Sequence, residues 1–302
     1  MKVNHIFNLI LISSLVTLLT SCASVQKDSQ KSANQTRFSF TIEEAPEWTA
    51  LFNRTSGWFG ADGIFSIPLN GVYSPDDSDS TLFIFSDTMV GDIVDGKIEP
   101  GSRMVHNSVA YMQGVDPNKE NISFYYDENE EYEAETIFNP TTPESEPGDY
   151  YWLGDGFVNK AMDNSIYIFA YRMRNLSSDD WSFIQAGNVL IKIPEGSRPP
   201  FHNHQQIETP FLYKGQSEPD NGSFGAGIFV NTKEAGAPNP DGYVYVYGVK
   251  GVEKNLIIAR VKPEQFEQFD EWRFWDGMGW NTNKNSIAYV TDSVSNELSV
   301  TP

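Results

Sequence analysis

The chain has 302 residues and a formal charge of −20, from 41 acidic against 21 basic side chains. Phosphate backbones demand Lys and Arg, so this balance argues against nucleic acid and disfavours a polyanionic substrate, while suiting a solvated, exported protein. Cys22 is the only cysteine, so the folded part contains no disulfide and must be held by its core.

In chain order, Lys2 is followed by an apolar run from Ile6 to Leu19 that closes with L-T-S-C at 19–22. This reads as a secretory signal with a lipoprotein cleavage box, too short to span a bilayer, with an ordinary signal peptide as the alternative. Cys22 is the expected lipidation site, which would place the protein in the cell envelope, touching membrane only through that anchor. Residues 23–40 are polar and patternless and read as a tether. Residues 41–302 should form the folded domain, a monomer rich in short strands. Helical spacing is confined to P-E-Q-F-E-Q-F-D-E-W, 263–272, with proline at its start. Elsewhere, alternating segments rich in Val, Ile, Phe and Tyr are divided by Gly, Asn, Asp and Pro, an all-β pattern.

Three segments resemble one another: T-L-F-I-F-S-D-T (81–88), S-I-Y-I-F-A-Y-R (165–172) and G-Y-V-Y-V-Y-G-V (242–249). Each follows a glycine-marked strand: G-A-D-G-I-F-S-I-P (60–68), L-G-D-G-F-V-N-K (153–160) and F-G-A-G-I-F-V-N (224–231). Aligning the glycines puts Asp62, Asp155 and Ala226 in equivalent places. A further 71 residues on, S-N-E-L-S-V-T-P (295–302) puts Glu297 there. Repeats of this length with several antiparallel strands predict a β-propeller whose first strands line a central funnel. Three repeats plus one strand are fewer than the four to eight blades typical of propellers, so the expectation is a chain cut short, with a β-sandwich as the alternative.

The ordered set G-W-F-G-A-D-G-I-F-S-I-P-L, T-L-F-I-F-S-D-T-M-V-G, H-N-S-V-A-Y, W-L-G-D-G-F, D-G-Y-V-Y-V-Y-G, W-R-F-W-D-G-M-G-W and N-E-L-S-V resembles exported bacterial families designated domains of unknown function 4185 and 5005. The resemblance runs from about residue 47 to the last residue. It implies a five-bladed propeller related in shape to furanoside-cleaving glycosidases, and some members of the first family look like endo-acting D-arabinan hydrolases. The early end of this chain departs from that pattern.

Glycoside hydrolysis needs two carboxyls flanking the scissile bond, about 5–5.5 Å apart for retention and about 6.5–9.5 Å for inversion. Asp62 is expected as base or nucleophile and Glu297 as general acid, with Asp155 holding the sugar or tuning a neighbour through like-charge crowding. The plain alternative is that each D-G marks a turn. Trp58, in the run leading to Asp62, is expected near the site as a stacking surface. Asp87 and His106–Asn107 are expected to contact substrate, with Glu208 as a reserve carboxylate; for Asp87–Thr88 a hydrogen bond between blades, and for His106 a place in the core, are the competing readings. W-R-F-W-D-G-M-G-W should pack the outer part of a blade, with Asp276-Gly277 turning it. His202 and His204 in F-H-N-H have no third ligand at recognisable spacing, so no metal is assigned; the acidic stretches 127–149 and D-D-S-D (76–79) read as solvated surface. No cofactor motif is present. The sequence thus predicts a lipid-anchored hydrolase of a furanose-containing polysaccharide, with a non-catalytic glycan-binding propeller as its rival.

Overall fold

Alternation at period two, as in Y-V-Y-V-Y, is the pattern of a strand with one face in a core, and the observed structure follows it. The computed structural model describes residues 41–73, 80–178, 182–215, 217 and 220–301. The signal segment, Cys22, the tether and the D-D-S-D stretch lie outside the described residues. The folded body begins at Ala45. It opens with a short helix, α1 (Pro46–Phe52), which starts on a proline whose missing N–H is harmless there and carries Glu47 in its first turn.

Strands β1 (Ser56–Ala61), β2 (Phe65–Pro68), β3 (Ser80–Phe85), β4 (Thr88–Val94), β5 (Lys97–Ile98), β6 (Arg103–Val105), β7 (Ser108–Gln113) and β8 (Ile122–Tyr125) make two antiparallel sheets. One has the order β2-β3-β7-β8, and the other joins β4 to β1, β5 and β6. A two-stranded ribbon follows, β9 (Asp127–Glu128) with β10 (Ala134–Glu135). The next sheet is a meander of β11 (Tyr150–Asn159), β12 (Ser165–Asn175), β13 (Phe183–Ile193) and β14 (Gln205–Glu208). The last has the order β15 (Leu212–Tyr213), β16 (Gly222–Asn231), β17 (Tyr243–Lys250), β18 (Asn255–Val261), β19 (Arg273–Trp275) and β20 (Trp280–Asn281). All pairings are antiparallel. The chain is all-β in the sense its sequence predicts.

The three repeated strand pairs are β2–β3, β11–β12 and β16–β17. Their first strands stand side by side, β11 packing against β2 on one side and β16 on the other. Strand β12 is buried on both faces, whereas β17 buries Val244 and Val246 and leaves Tyr243, Tyr245 and Tyr247 half open. Between the β11–β14 sheet and the β15–β20 sheet lies an aromatic core that includes Phe157, Tyr167, Phe211, Phe224, Phe266 and Trp272. Rings of this size bury enough area for each to be worth several kcal/mol on deletion (roughly 3–5).

Two expectations change. Residues 263–272 form two short 3₁₀ turns, Pro263–Gln265 and Phe269–Glu271, and no α-helix: Phe266 and Trp272 are drawn into the core, and Trp272 donates its indole N–H to Phe266 O at 3.1 Å. Residues 295–301, expected as the first strand of another unit, form no strand. They do run beside β16, where Leu298 N donates to Ala226 O at 3.1 Å. The W-R-F-W-D-G-M-G-W run is the β19–β20 hairpin at the sheet edge, with Asp276 accepting from Met278 N and Gly279 N.

Candidate active site

Two of the four aligned positions, Asp155 and Ala226, share a local geometry. In β11 the pairing with β12 shifts register between Leu153 and Gly156, so Gly154 and Asp155 bulge. In β16 the shift falls between Phe224 and Gly227, so Gly225 and Ala226 bulge at the same offset. Bulges re-aim side chains beside a strand pair, which is why they recur next to sites. The glycines let the two backbones meet: a Cβ on Gly154 would lie 2.5 Å from Gly225 O, and Gly225 takes φ 113°. Before β2, Asp62 N donates to Asp87 O at 3.2 Å and accepts at its own O from Ser86 N at 2.9 Å. Gly63 follows with φ 58°, so the turn expected of D-G is present, and it orients the acid.

Asp62 and Glu297 line one cleft of about 450 Å³, both exposed to solvent. Its lining includes the aromatic or apolar Trp152, Tyr171, Met173 and Phe183 together with the polar Asn221, Lys250, Lys254 and Asn296. Burial, then the negative charges of Asp87 and Glu297, push the Asp62 carboxyl above its ordinary range. Two of the three acids singled out in the sequence therefore line the same cleft. A larger cavity of about 880 Å³, lined by Tyr111, Tyr125, Lys160 and Arg198 among others, touches none of the three.

Asp155 is placed differently. It is 9% exposed and lies beneath the cleft, its oxygens accepting from Gly156 N at 2.8 Å and Ile228 N at 2.7 Å. It ties the β11 bulge to β16, so it does not reach out to hold a sugar. Burial outweighs these bonds and lifts its pKa to about 7.

Asp87 and His106 form a pair beside this group, with His106 Nδ1 at 3.0 Å from Asp87 Oδ1. Both are partly exposed, and the imidazole stacks on Tyr150 at 3.9 Å between ring centroids. The hydrogen bond between sheets expected of Asp87 and Thr88 is made by their neighbour instead: Ser86 Oγ accepts from Leu153 N at 2.9 Å. Thr88 bonds locally, to Ser86 O and Ser108 Oγ, each at 2.7 Å.

Three expected contacts are structural instead. Trp58 is 5% exposed and stacks on Phe124 at 4.3 Å, its indole N–H donating to Ser108 Oγ, so neither ring face is open to a sugar. Asn107 is fully buried, donating to Phe138 O and Tyr151 O and accepting from Phe138 N. Glu208 pairs with the buried Arg172 and accepts from Thr142 Oγ1 at 2.7 Å, away from the cleft.

The ring that does line the cleft is Trp152, half-buried and edge-on to Phe183 at 5.0 Å. Its indole N–H is enclosed with no acceptor among the described residues. Sequence reading passed it over, although Y-Y-W leads to Asp155 as G-W-F leads to Asp62. Tyr171 was also passed over. Its hydroxyl has no hydrogen bond to a described residue, and burial followed by the charges of Asp155 and Glu297 keep it a neutral phenol. No group of three or more His, Cys, Asp or Glu is disposed to hold a metal among the described residues. His202 instead lies 3.0 Å from Asp127, and His204 packs edge-on to Phe138.

The profile of the family DUF5005, a domain of unknown function, matches residues 46–302, and the chain belongs to that family. Among solved structures, a crystal structure of a candidate hydrolase from Bacteroides ovatus superposes with a TM-score of 0.54 at 16% identity, over 79% of this chain and 58% of that one. The chain thus spans less than two thirds of that neighbour, and at this identity the likeness concerns the fold alone. A search of curated proteins finds no match.

Proposed function

We propose that this member of the DUF5005 family is a glycoside hydrolase on a β-propeller scaffold, its three main sheets serving as blades around the funnel. In this reading it is exported, lipid-anchored through Cys22, and cleaves a furanose-containing polysaccharide. One observation carries the proposal: two solvent-reachable carboxyls, Asp62 and Glu297, from opposite ends of the chain, line one cleft with aromatic side chains. Hydrolysis needs such a pair, one carboxyl holding the proton and one not. Like charges in proximity cannot both ionise freely, and the upward push on Asp62 from Glu297 is the electrostatic expression of that coupling.

In the mechanism, the sugar ring lies against Trp152 and Phe183 while the glycosidic oxygen faces the two acids. Glu297 donates its proton to the leaving oxygen, and Asp62 acts on the anomeric carbon directly or through water. Asp155 acts from beneath by fixing the bulge that shapes the cleft. Tyr171, a neutral hydroxyl among carboxyls, donates a hydrogen bond to a sugar oxygen.

The test is release of reducing ends from arabinan and other furanose-containing polysaccharides. Asp62→Asn and Glu297→Gln should each lower the rate at least about 10²-fold with unchanged thermal unfolding. A rate unchanged in either variant removes that residue from the mechanism. Retention of polysaccharide by the wild type with no cleavage favours the non-catalytic glycan-binding reading.

A further inference from the structure

We propose that the substrate carries an acidic sugar, a uronate-type residue on an otherwise neutral glycan, whose carboxylate is held by Lys254 with Lys250 beside it. This rests on the glycan reading of the cleft and specifies which glycan it takes. The lining is of two kinds. Trp152, Phe183 and Met173 offer flat and apolar surface, while Lys250, Lys254, Asn221 and Asn296 bring ammonium and amide groups. A sugar ring fits the first kind and an acceptor-rich substituent the second.

Among the described residues Lys192 is the one lysine paired with a carboxylate, Glu267 at 2.6 Å, so what distinguishes Lys254 and Lys250 is their place in the cleft. Lys254 and Lys250 line a cleft that holds Asp62 and Glu297, yet neither has a carboxylate oxygen within 4.0 Å among the described residues. Their ammonium groups instead rest on neutral oxygens, Lys254 Nζ on Asn296 Oδ1 at 3.1 Å and Lys250 Nζ on Tyr289 Oη at 3.2 Å. Asn296 adjoins Glu297 in sequence, so it holds the Lys254 cation next to the catalytic acid without neutralising it.

Lys254 also sits at φ 54°, a left-handed position that glycine or asparagine occupies more readily than a long side chain. Conformational strain retained beside a site is a reason to look for a role. The net charge of −20 sets the other bound: it repels a densely charged polyanion, which leaves a sparse acid on a neutral backbone.

Affinity electrophoresis tests this with the full chain, using a glucuronate-bearing arabinogalactan, the same polymer after carboxyl reduction, and a neutral arabinan. The native polymer should retard the protein at least about 3-fold more strongly than its reduced form, with the excess lost in salt. Lys254→Gln combined with Lys250→Gln should bring retardation by the native polymer down to that of the reduced one. Equal retardation by native and reduced forms overturns the acidic-sugar assignment while leaving the glycan site standing. Undiminished preference in the lysine variant overturns it too. No retardation by any of the three polymers removes the glycan reading, and this inference with it.

Discussion

Replacing Asp155 with asparagine tests whether the carboxyl beneath the cleft carries a proton near neutrality. Burial lifts its pKa from 3.8 to about 7, against the lowering effect of hydrogen bonds from Gly156 N and Ile228 N. A carboxyl with a folded pKa above its unfolded one holds its proton more tightly when folded. Its contribution to stability is therefore full below about pH 4 and is lost as pH rises through about 7. Each unit is worth about 1.4 kcal/mol, so the whole window is worth about 4 kcal/mol, and the part between pH 5 and pH 8 about 3 kcal/mol. An amide cannot titrate, and its NH₂ must face one of the two backbone donors, which costs about 1–3 kcal/mol. Asp155→Asn should therefore be weaker than wild type at pH 5 by about that amount, and equal to it or stronger at pH 8. Urea unfolding followed by tryptophan fluorescence at the two pH values measures the gap. A gap of the same size at both would refute the reasoning.

Asp87→Asn removes a like charge that pushes the Asp62 carboxyl up. The acidic limb of the pH–rate profile should move to lower pH, and a limb that stays in place would take Asp62 out of the base role. Trp58→Ala should destabilise by about 3–5 kcal/mol in a urea melt with glycan retardation intact, whereas Trp152→Ala should weaken retardation and change stability less. The reverse result would restore Trp58 as the stacking surface. Glu208→Gln leaves the buried Arg172 with one carboxylate, Asp149 at 3.6 Å from its Nε, beside the Thr142 hydroxyl. Because Glu208 keeps some solvent contact, the expected loss is about 2–3 kcal/mol of stability with turnover preserved; lost turnover at unchanged stability would contradict the structural role.

Strand positions were legible because alternation in T-L-F-I-F and Y-V-Y-V-Y is a local property of the chain. The matched offset of Asp155 and Ala226 was legible for a similar reason: glycines flank the β11 and β16 bulges at one spacing. Partners remote in sequence were not legible. Trp58 is core because Phe124 lies against it, Asn107 because Phe138 and Tyr151 supply its partners, and Glu208 because Arg172 reaches it. Period-3.6 spacing at 263–272 misled for the same reason, since Phe266 and Trp272 are positioned by the neighbouring sheet, which outweighs intrinsic helix preference. The cleft's aromatic lining went unseen because Trp152 and Phe183 come from different strands of one sheet and meet only after it forms.

The equivalence of residues 155 and 226 has an engineering side. The chain repeats one backbone mould and fills it once as a rivet and once as a blank. Alanine is the blank, and it already borders the cleft. A chemist wishing to add a fourth acid, a metal-binding carboxylate or a bulky selector to this hollow would start at Ala226, where the mould has been cast and left empty.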